Sequence, residues 1–226
     1  MRALREKVTS ALQASGFEFD PGNRKYRDSR NESRYTLYQL PYPAETRGDG
    51  ALRAEIKIET AVWPLRLAPV TLRVTSFLAQ AFNEPPEIPS IVCASLIETL
   101  AEKFVALTRR VGEGIANPGT ERDKALVRHI YDLHVTRAHY TPAELVELVA
   151  QVVQTDAQAY GNKFPAYREN PIRETLAAVD TLTGEKRFAD LYGEFLRDMV
   201  YGVQPTFNTA VGTIRELAEE LLCRQP

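Results

Sequence analysis

The chain has 226 residues, of which 44% are hydrophobic and 26% charged, and its formal net charge is −2. These values are typical of a folded globular protein and exclude an intrinsically disordered chain. The two cysteines, Cys93 and Cys223, fit neither a zinc site nor a disulfide framework, and no stretch approaches the roughly 20 apolar residues that span a bilayer, so we expect a cytoplasmic protein without a membrane partner.

The first 92 residues predict one helix and a small sheet. Leu4, Val8 and Leu12 recur at helical spacing, and Gly16 stands where such a helix would end. Strand-like runs follow at residues 34–40, 52–59, 70–78 and 88–92. We expect the first two runs to form an antiparallel pair and the others to add a third and a fourth strand.

From residue 95 onward the sequence predicts helices. Ser95 and Glu98 form a capping-box pattern, Gly112 and Gly114 are expected to close the helix that follows, and a second capping box begins at Thr141. Further helices are expected at residues 121–138, 171–182, 186–201 and 206–222. Because strands come early and helices late, the sequence favours an α+β fold, with a sheet region at 1–92 and a helical region at 93–226.

The run at 52–59 places three charged side chains on one face of a strand. Side chains alternate along a strand, so Glu55, Lys57 and Glu59 point one way while Ile56 and Ile58 point the other. Such a face is either simply exposed to solvent or, because Mg²⁺ binds carboxylates and substrate phosphates, part of a metal site.

The helix predicted after Ser95 carries two cations at the edge of its apolar stripe. Lys103 and Arg110 lie on one flank of the stripe that includes Phe104 and Leu107. Long side chains in this position either cover apolar surface with their stems or hold the phosphates of a nucleotide.

Residues 128–133 combine an imidazole with a carboxylate. His129 and Asp132 are three residues apart, so their side chains can touch on one side of a helix. A histidine beside an apolar stripe is either hydrogen-bonded in the structure or catalytic. His129, His134 and His139 are not expected to form a metal cluster, because their spacing turns them to different faces.

Three segments of this chain occur in a recognisable order. They are Glu-Ile-Lys-Ile-Glu at residues 55–59, Glu-Thr-Leu-Ala-Glu-Lys-Phe-Val-Ala-Leu-Thr-Arg-Arg at 98–110, and Arg-His-Ile-Tyr-Asp-Leu at 128–133. This order resembles the AbiEii/AbiGii nucleotidyltransferase toxin family. The closing stretches at 188–192 and 198–202 are similar to that family too, and the resemblance runs from about residue 34 to the end.

The resemblance implies a polymerase-β-like nucleotidyltransferase core with a small antiparallel or mixed sheet, followed by a helical C-terminal region. It also implies Mg²⁺-dependent transfer of a nucleotide from an NTP to an RNA acceptor such as tRNA, in an abortive-infection system with an antitoxin partner. Glu59 would bind the metal. Lys103 would act in catalysis and would also contact the nucleotide, and Arg110 and Lys57 would be further contacts to the nucleotide. The catalytic carboxylate would be Asp132, alone or with His129.

The sequence departs from the family pattern at two points. The family has an Arg-Asp pair where this chain has Arg128-His129, and the family's Gly-Ser turn with an Asp-x-Asp pair does not occur in the sequence. That pair would hold the metal ions on which phosphoryl-type transfer mainly depends. Three functions therefore stay open: a toxin whose missing motif lies on another chain or upstream, a degenerate relative that binds a nucleotide, RNA or an antitoxin without catalysis, and an unrelated interaction module.

Overall fold

The structure divides the chain into two compact units, Met1–Pro64 and Leu65–Pro226. It is a computed structural model that describes residues 2–30, 32, 34–43, 54–62, 64–118 and 124–224. Within these residues, two small antiparallel sheets are followed by a run of helices, which confirms the α+β class. The division into regions 1–92 and 93–226 stays a prediction.

The described part of the first unit is one helix and a three-stranded antiparallel sheet with β2 in the centre. Its elements are α1 (Arg2–Ala14), β1 (Arg27–Arg30), β2 (Tyr35–Pro41) and β3 (Glu55–Ala61). Thr36, Tyr38 and Leu40 alternate as the buried face of β2. The Tyr38 hydroxyl donates to the carbonyl oxygen of Arg5 at 2.9 Å. A tyrosine of the central strand therefore ties the sheet to the helix.

The first helix and the first strand pair are confirmed. α1 ends just before Gly16, whose φ of +90° is a conformation that glycine adopts most readily. β2 and β3 are antiparallel, with Leu37 opposite Glu59. The predicted strand residues 52 and 53, and the loop at 47–50, lie outside the described residues. β1 was not predicted because its sequence, Arg-Asp-Ser-Arg, is wholly polar and offers no hydrophobic alternation.

The second unit begins with a two-stranded antiparallel hairpin and continues as a helical bundle. Its elements are β4 (Val70–Val74), α2 (Phe77–Ala81), β5 (Ile88–Cys93), α3 (Leu96–Ala116), α4 (Arg128–Val135), α5 (Pro142–Tyr160), α6 (Pro165–Glu169), α7 (Pro171–Gly184), α8 (Lys186–Met199) and α9 (Phe207–Cys223), with 3₁₀ turns at Lys124–Val127 and Arg137–His139 on either side of α4. Buried side chains such as Phe104, Ile130, Leu145 and Ile214 form its core. None of the described helices is long and apolar enough to cross a membrane.

Most of the predicted helices and the strand at 88–92 are confirmed. The strands do not extend the first pair as expected, because β4 and β5 pair with each other in a sheet of their own, and the run at 70–78 is not one strand. β4 ends at Val74, and Phe77 instead begins α2. The side chain of Ser76 accepts a hydrogen bond from the Ala79 backbone N–H at 3.1 Å, which caps this short helix. The helix expected at 121–138 is a 3₁₀ turn, α4 and a second 3₁₀ turn, and its residues 121–123 lie outside the described part.

The prediction that Gly112 and Gly114 end the helix is wrong, because α3 continues to Ala116. A Cβ atom at position 112 would lie 2.8 Å from Cε1 of Phe164. Gly112 therefore allows an aromatic ring to pack directly on the helix backbone, which is a packing role and not a helix stop.

The two capping boxes have different outcomes. The one at Thr141 is complete, since the Glu144 carboxylate accepts from the Thr141 backbone N–H at 3.1 Å and Thr141 accepts in return. At the start of α3, Ser95 accepts from the Glu98 N–H, but the Glu98 carboxylate accepts from the backbone N–H groups of Arg66 and Leu67 at 2.6 and 3.1 Å. Glu98 is 2% exposed, and its two hydrogen bonds connect the segment before β4 to α3.

Candidate functional site

A cavity of about 650 Å³ in the second unit brings together three of the predicted site residues, Lys103, His129 and Asp132. The other residues that line it are Phe77, Arg128, Tyr131, Phe195, Met199, Val200 and Tyr201. The cavity therefore has one charged side, from α3 and α4, and one aromatic and apolar side, from α2, α4 and the end of α8. Its volume is in the range of small-ligand sites.

An ion pair between Lys103 and Asp132 connects α3 and α4 at the charged side. The Nζ atom of Lys103 lies 2.7 Å from Oδ2 of Asp132, and it donates a hydrogen bond to that oxygen. Both side chains are partly exposed to solvent. Because partly exposed ion pairs contribute about 1 kcal/mol or less, this pair can open for a competing anion.

His129 is held neutral in this cavity. Burial, and then the positive charges of Lys103 and Arg110, lower its pKa from the ordinary 6.5 to about 4, and the carboxylate of Asp132 opposes this shift only in part. Its Nδ1 atom is buried without a hydrogen-bond partner among the described residues. At neutral pH the ring therefore offers one donor and one acceptor and carries no charge.

Arg110 is exposed and is not one of the residues that line the cavity, although its charge acts on His129. Its neighbour Arg109 is 7% exposed. Nε of Arg109 lies 2.8 Å from Oδ2 of Asp156 on α5, and its guanidinium lies 3.7 Å from the ring centroid of Tyr160. Arg109 thus connects α3 to α5. The sequence does not predict this role, because Arg109 and Arg110 differ only in burial.

Lys57 and Glu59 lie in the first unit, on β3, and form an ion pair that the strand pattern did not predict. Nζ of Lys57 is 2.6 Å from Oε1 of Glu59, and both side chains are about half exposed. No group of three or more Asp, Glu, His or Cys residues suited to a metal ion occurs in the described ranges. Because Mg²⁺ is usually held by one or two carboxylates together with water and substrate phosphates, the assignment of Glu59 as a metal ligand stays a prediction.

A second cavity of about 600 Å³ is lined by His134, Val135, Arg137, Ala138, Val203 and Pro205. Its polar side chains already have partners. Arg137 donates two hydrogen bonds to the Glu216 carboxylate, at 2.7 and 2.8 Å, and Nδ1 of His134 lies 3.0 Å from Oγ1 of Thr213. In the cavity around Lys103, by contrast, the buried Nδ1 atom of His129 has no hydrogen-bond partner among the described residues, which makes that cavity the stronger candidate site.

Some residues of the Lys103 cavity could be found from sequence and others could not. Arg128 and Tyr131 belong to the segment that carries the family resemblance. Phe77 and Phe195 come from distant parts of the chain, where nothing in the local sequence points to a site. Tyr201 lies in the closing stretch that resembles the family, but the resemblance assigns it no role.

The fold and this cavity describe an α+β protein with a lysine–carboxylate site on its helical unit. Residues 1–213 match the family described as Nucleotidyl transferase AbiEii toxin, Type IV TA system. The chain belongs to this family, and the match begins before residue 34, where the resemblance was expected to start. No curated protein and no solved structure matches the chain. Membership makes this a nucleotidyltransferase-like toxin of a type IV toxin–antitoxin system, which implies an antitoxin partner.

Proposed function

We propose that this chain transfers a nucleotide from an NTP to an RNA acceptor such as tRNA, and that the Lys103 cavity binds the reacting phosphates. The observation that carries the proposal is the Lys103–Asp132 ion pair, at 2.7 Å, in a cavity large enough for a small ligand. An ammonium group is a compact positive charge that suits phosphate oxygens. The carboxylate holds that charge inside the cavity until a phosphate replaces it.

In the proposed reaction, a hydroxyl oxygen of the acceptor forms a bond to the α-phosphorus of the NTP. The bond from that phosphorus to the oxygen bridging to the β-phosphate breaks, and pyrophosphate leaves. Lys103 neutralises phosphate charge, and Asp132, released from Lys103, accepts the hydroxyl proton. With a pKa of about 4, His129 stays neutral and orients a reacting group through a hydrogen bond.

The proposal includes Mg²⁺, which supplies charge neutralisation and alignment of the phosphates when it is bound. Glu59 is the proposed ligand from this chain, and Lys57 and Arg110 are proposed as further contacts to the nucleotide. Glu59 would hold the ion together with substrate phosphates and water, since Mg²⁺ is usually bound by only one or two carboxylates.

The test is incubation of the purified chain with Mg²⁺, each labelled NTP in turn and total tRNA, followed by measurement of label on RNA. The Lys103→Ala variant should lose transfer at least 100-fold, since the phosphate charge is then uncompensated in the cavity. Lys163→Ala is the matched control, because Lys163 is an exposed lysine that does not line the cavity. Equal activity in wild type and Lys103→Ala would contradict the role of Lys103.

A second function, non-catalytic binding of a nucleotide, RNA or an antitoxin, is favoured by two specific observations. The sequence has no Asp-x-Asp pair, and the described residues hold no cluster of metal-binding side chains. Nucleotide binding that depends on Lys103, without any label on RNA, is the outcome that supports this function over catalysis.

A further inference from the structure

Two aromatic side chains at the cavity are exposed to an unusual degree. Phe77 is 90% exposed and Tyr201 is fully exposed, although both line the cavity that contains Lys103. By contrast, Tyr131 and Phe195 pack edge to face, with ring centroids 5.6 Å apart. The rings of Tyr131 and Phe195 thus pack on each other, while those of Phe77 and Tyr201 present flat apolar surface to solvent at the cavity.

The backbone around Phe77 holds this ring in a defined place. Phe77 is the first residue of α2, and the helix is capped by the Ser76 side chain. The backbone N–H of Ser76 donates to the Glu87 carboxylate at 2.9 Å, which fastens the start of α2 to the chain just before β5. Because the side chain projects from a capped helix between two paired strands, its exposure does not result from a loose loop.

The turn that carries Tyr201 is also built by specific contacts. The Nε2 atom of Gln204 donates to the carbonyl oxygens of Leu196 and Val200, at 2.9 and 3.0 Å. Gly202 has a φ of +111°, so a side chain there would strain the turn. These contacts close the end of α8 and place Tyr201 beside the cavity.

We propose that Phe77 and Tyr201 form an aromatic rim that stacks a nucleobase whose phosphate reaches Lys103. Aromatic rings bind bases of any sequence through their faces, and a cation nearby binds the backbone phosphate. The cavity offers both chemistries, with Lys103 and Arg128 on one side and the rim on the other. This inference deepens the proposed function and rests on it for the class of ligand. The base belongs either to the NTP or to the end of the RNA acceptor.

The test compares ligands with and without a base in equilibrium binding to the full chain. For the NTP, the probes are each NTP and inorganic tripolyphosphate; for the acceptor, they are a short single-stranded RNA and the same RNA with an abasic 3′ nucleotide. We expect the wild type to prefer the base-bearing ligand of one pair. Phe77→Ala and Tyr201→Ala should each lower the affinity for that ligand about 10-fold, because one stacked base contributes roughly 5- to 150-fold to binding. Neither variant should change the affinity for the base-free counterpart.

Two matched variants separate stacking from loss of structure. Tyr201→Phe keeps the ring and should bind like the wild type. Phe82→Ala removes a ring that is 69% exposed on the same hairpin but does not line the cavity, and it should also have no effect. If the rim variants lose affinity only for the NTP, the stacked base belongs to the NTP. If they lose affinity only for the RNA with an intact 3′ nucleotide, the base belongs to the acceptor.

The inference is overturned if the wild type binds neither base-bearing ligand better than its counterpart, or if the rim variants bind like the wild type. A change of oligomeric state in the rim variants, with unchanged ligand binding, would overturn it too and assign the rim to a protein contact. Base-dependent binding that is lost in the rim variants supports it even when no label is transferred to RNA. Failure of catalysis and failure of stacking are therefore distinguishable.

Discussion

At the scale of single residues, His129 makes stability depend on pH in a predictable direction. Its pKa is about 4 in the folded chain and about 6.5 when the chain is unfolded. Between these values the unfolded chain binds a proton that the folded chain does not, so the free energy of unfolding should fall as the pH is lowered from 6.5 to 4. Each pKa unit corresponds to about 1.4 kcal/mol, and solvent screening reduces this value because the ring is only partly buried. We therefore expect the free energy of unfolding to fall by about 1–2 kcal/mol over this pH range.

The His129 prediction is checked by urea unfolding at several pH values. His129→Gln should have a shallower fall in unfolding free energy across this window than the wild type. His139→Gln is the control, since His139 is exposed, and it should keep the wild-type slope. Parallel curves for the wild type and His129→Gln would show that His129 is not the group responsible.

The residue scale also shows why only part of the site could be predicted. His129 and Asp132 are neighbours on one helix, and Lys103 lies on the flank of another, so helical spacing marks all three as candidates, and only the family resemblance gives them roles. Phe77 and Tyr201 reach the same cavity because of how α2 and the end of α8 pack. A single sequence contains no local signal for such contacts, and an exposed aromatic residue has no periodicity.

At the scale of the elements, two glycines within helices should have opposite effects on the free energy of unfolding when each is replaced by alanine. Gly112→Ala should lower the free energy of unfolding by about 1–3 kcal/mol, because the added Cβ would lie 2.8 Å from the Phe164 ring. Gly193→Ala, within α8, should raise it by up to about 1 kcal/mol, since nothing lies within 4 Å of its Cβ and alanine favours helix. Thermal or chemical unfolding of both variants measures this contrast, and equal shifts would contradict the packing role of Gly112.

Among the elements, those with strong hydrophobic periodicity or complete caps were predictable, and those formed by long-range contacts were not. The start of α5 follows from its capping box, because Thr141 and Glu144 satisfy each other locally. β1 depends on pairing with β2, and α2 depends on a cap at Ser76 that the neighbouring apolar run conceals. The turn that ends a helix was wrongly predicted at Gly112 because the packing of Phe164 lies 52 positions away in sequence.

At the scale of the whole molecule, we expect residues 65–226 to fold without the first unit. The buried core of this unit is formed by its own residues, from Leu100 to Leu221. A chain fragment of residues 65–226 should therefore show a helical circular dichroism spectrum and a cooperative thermal transition. A fragment without such a transition would mean that the first unit is needed for the helical core to form.

Polar contacts hold α3 at two positions, and this affects which side of the cavity can move. Glu98 holds the first turn of this helix to the preceding segment, and Arg109 holds its later turns to α5. The side of the cavity that carries Lys103 is therefore held by contacts to two other segments, whereas the side-chain hydrogen bonds that close the Tyr201 turn come from Gln204. We expect amide hydrogens in the exposed Tyr201 turn to exchange faster than those in the middle of α3, and to slow down when a ligand stacks on Tyr201.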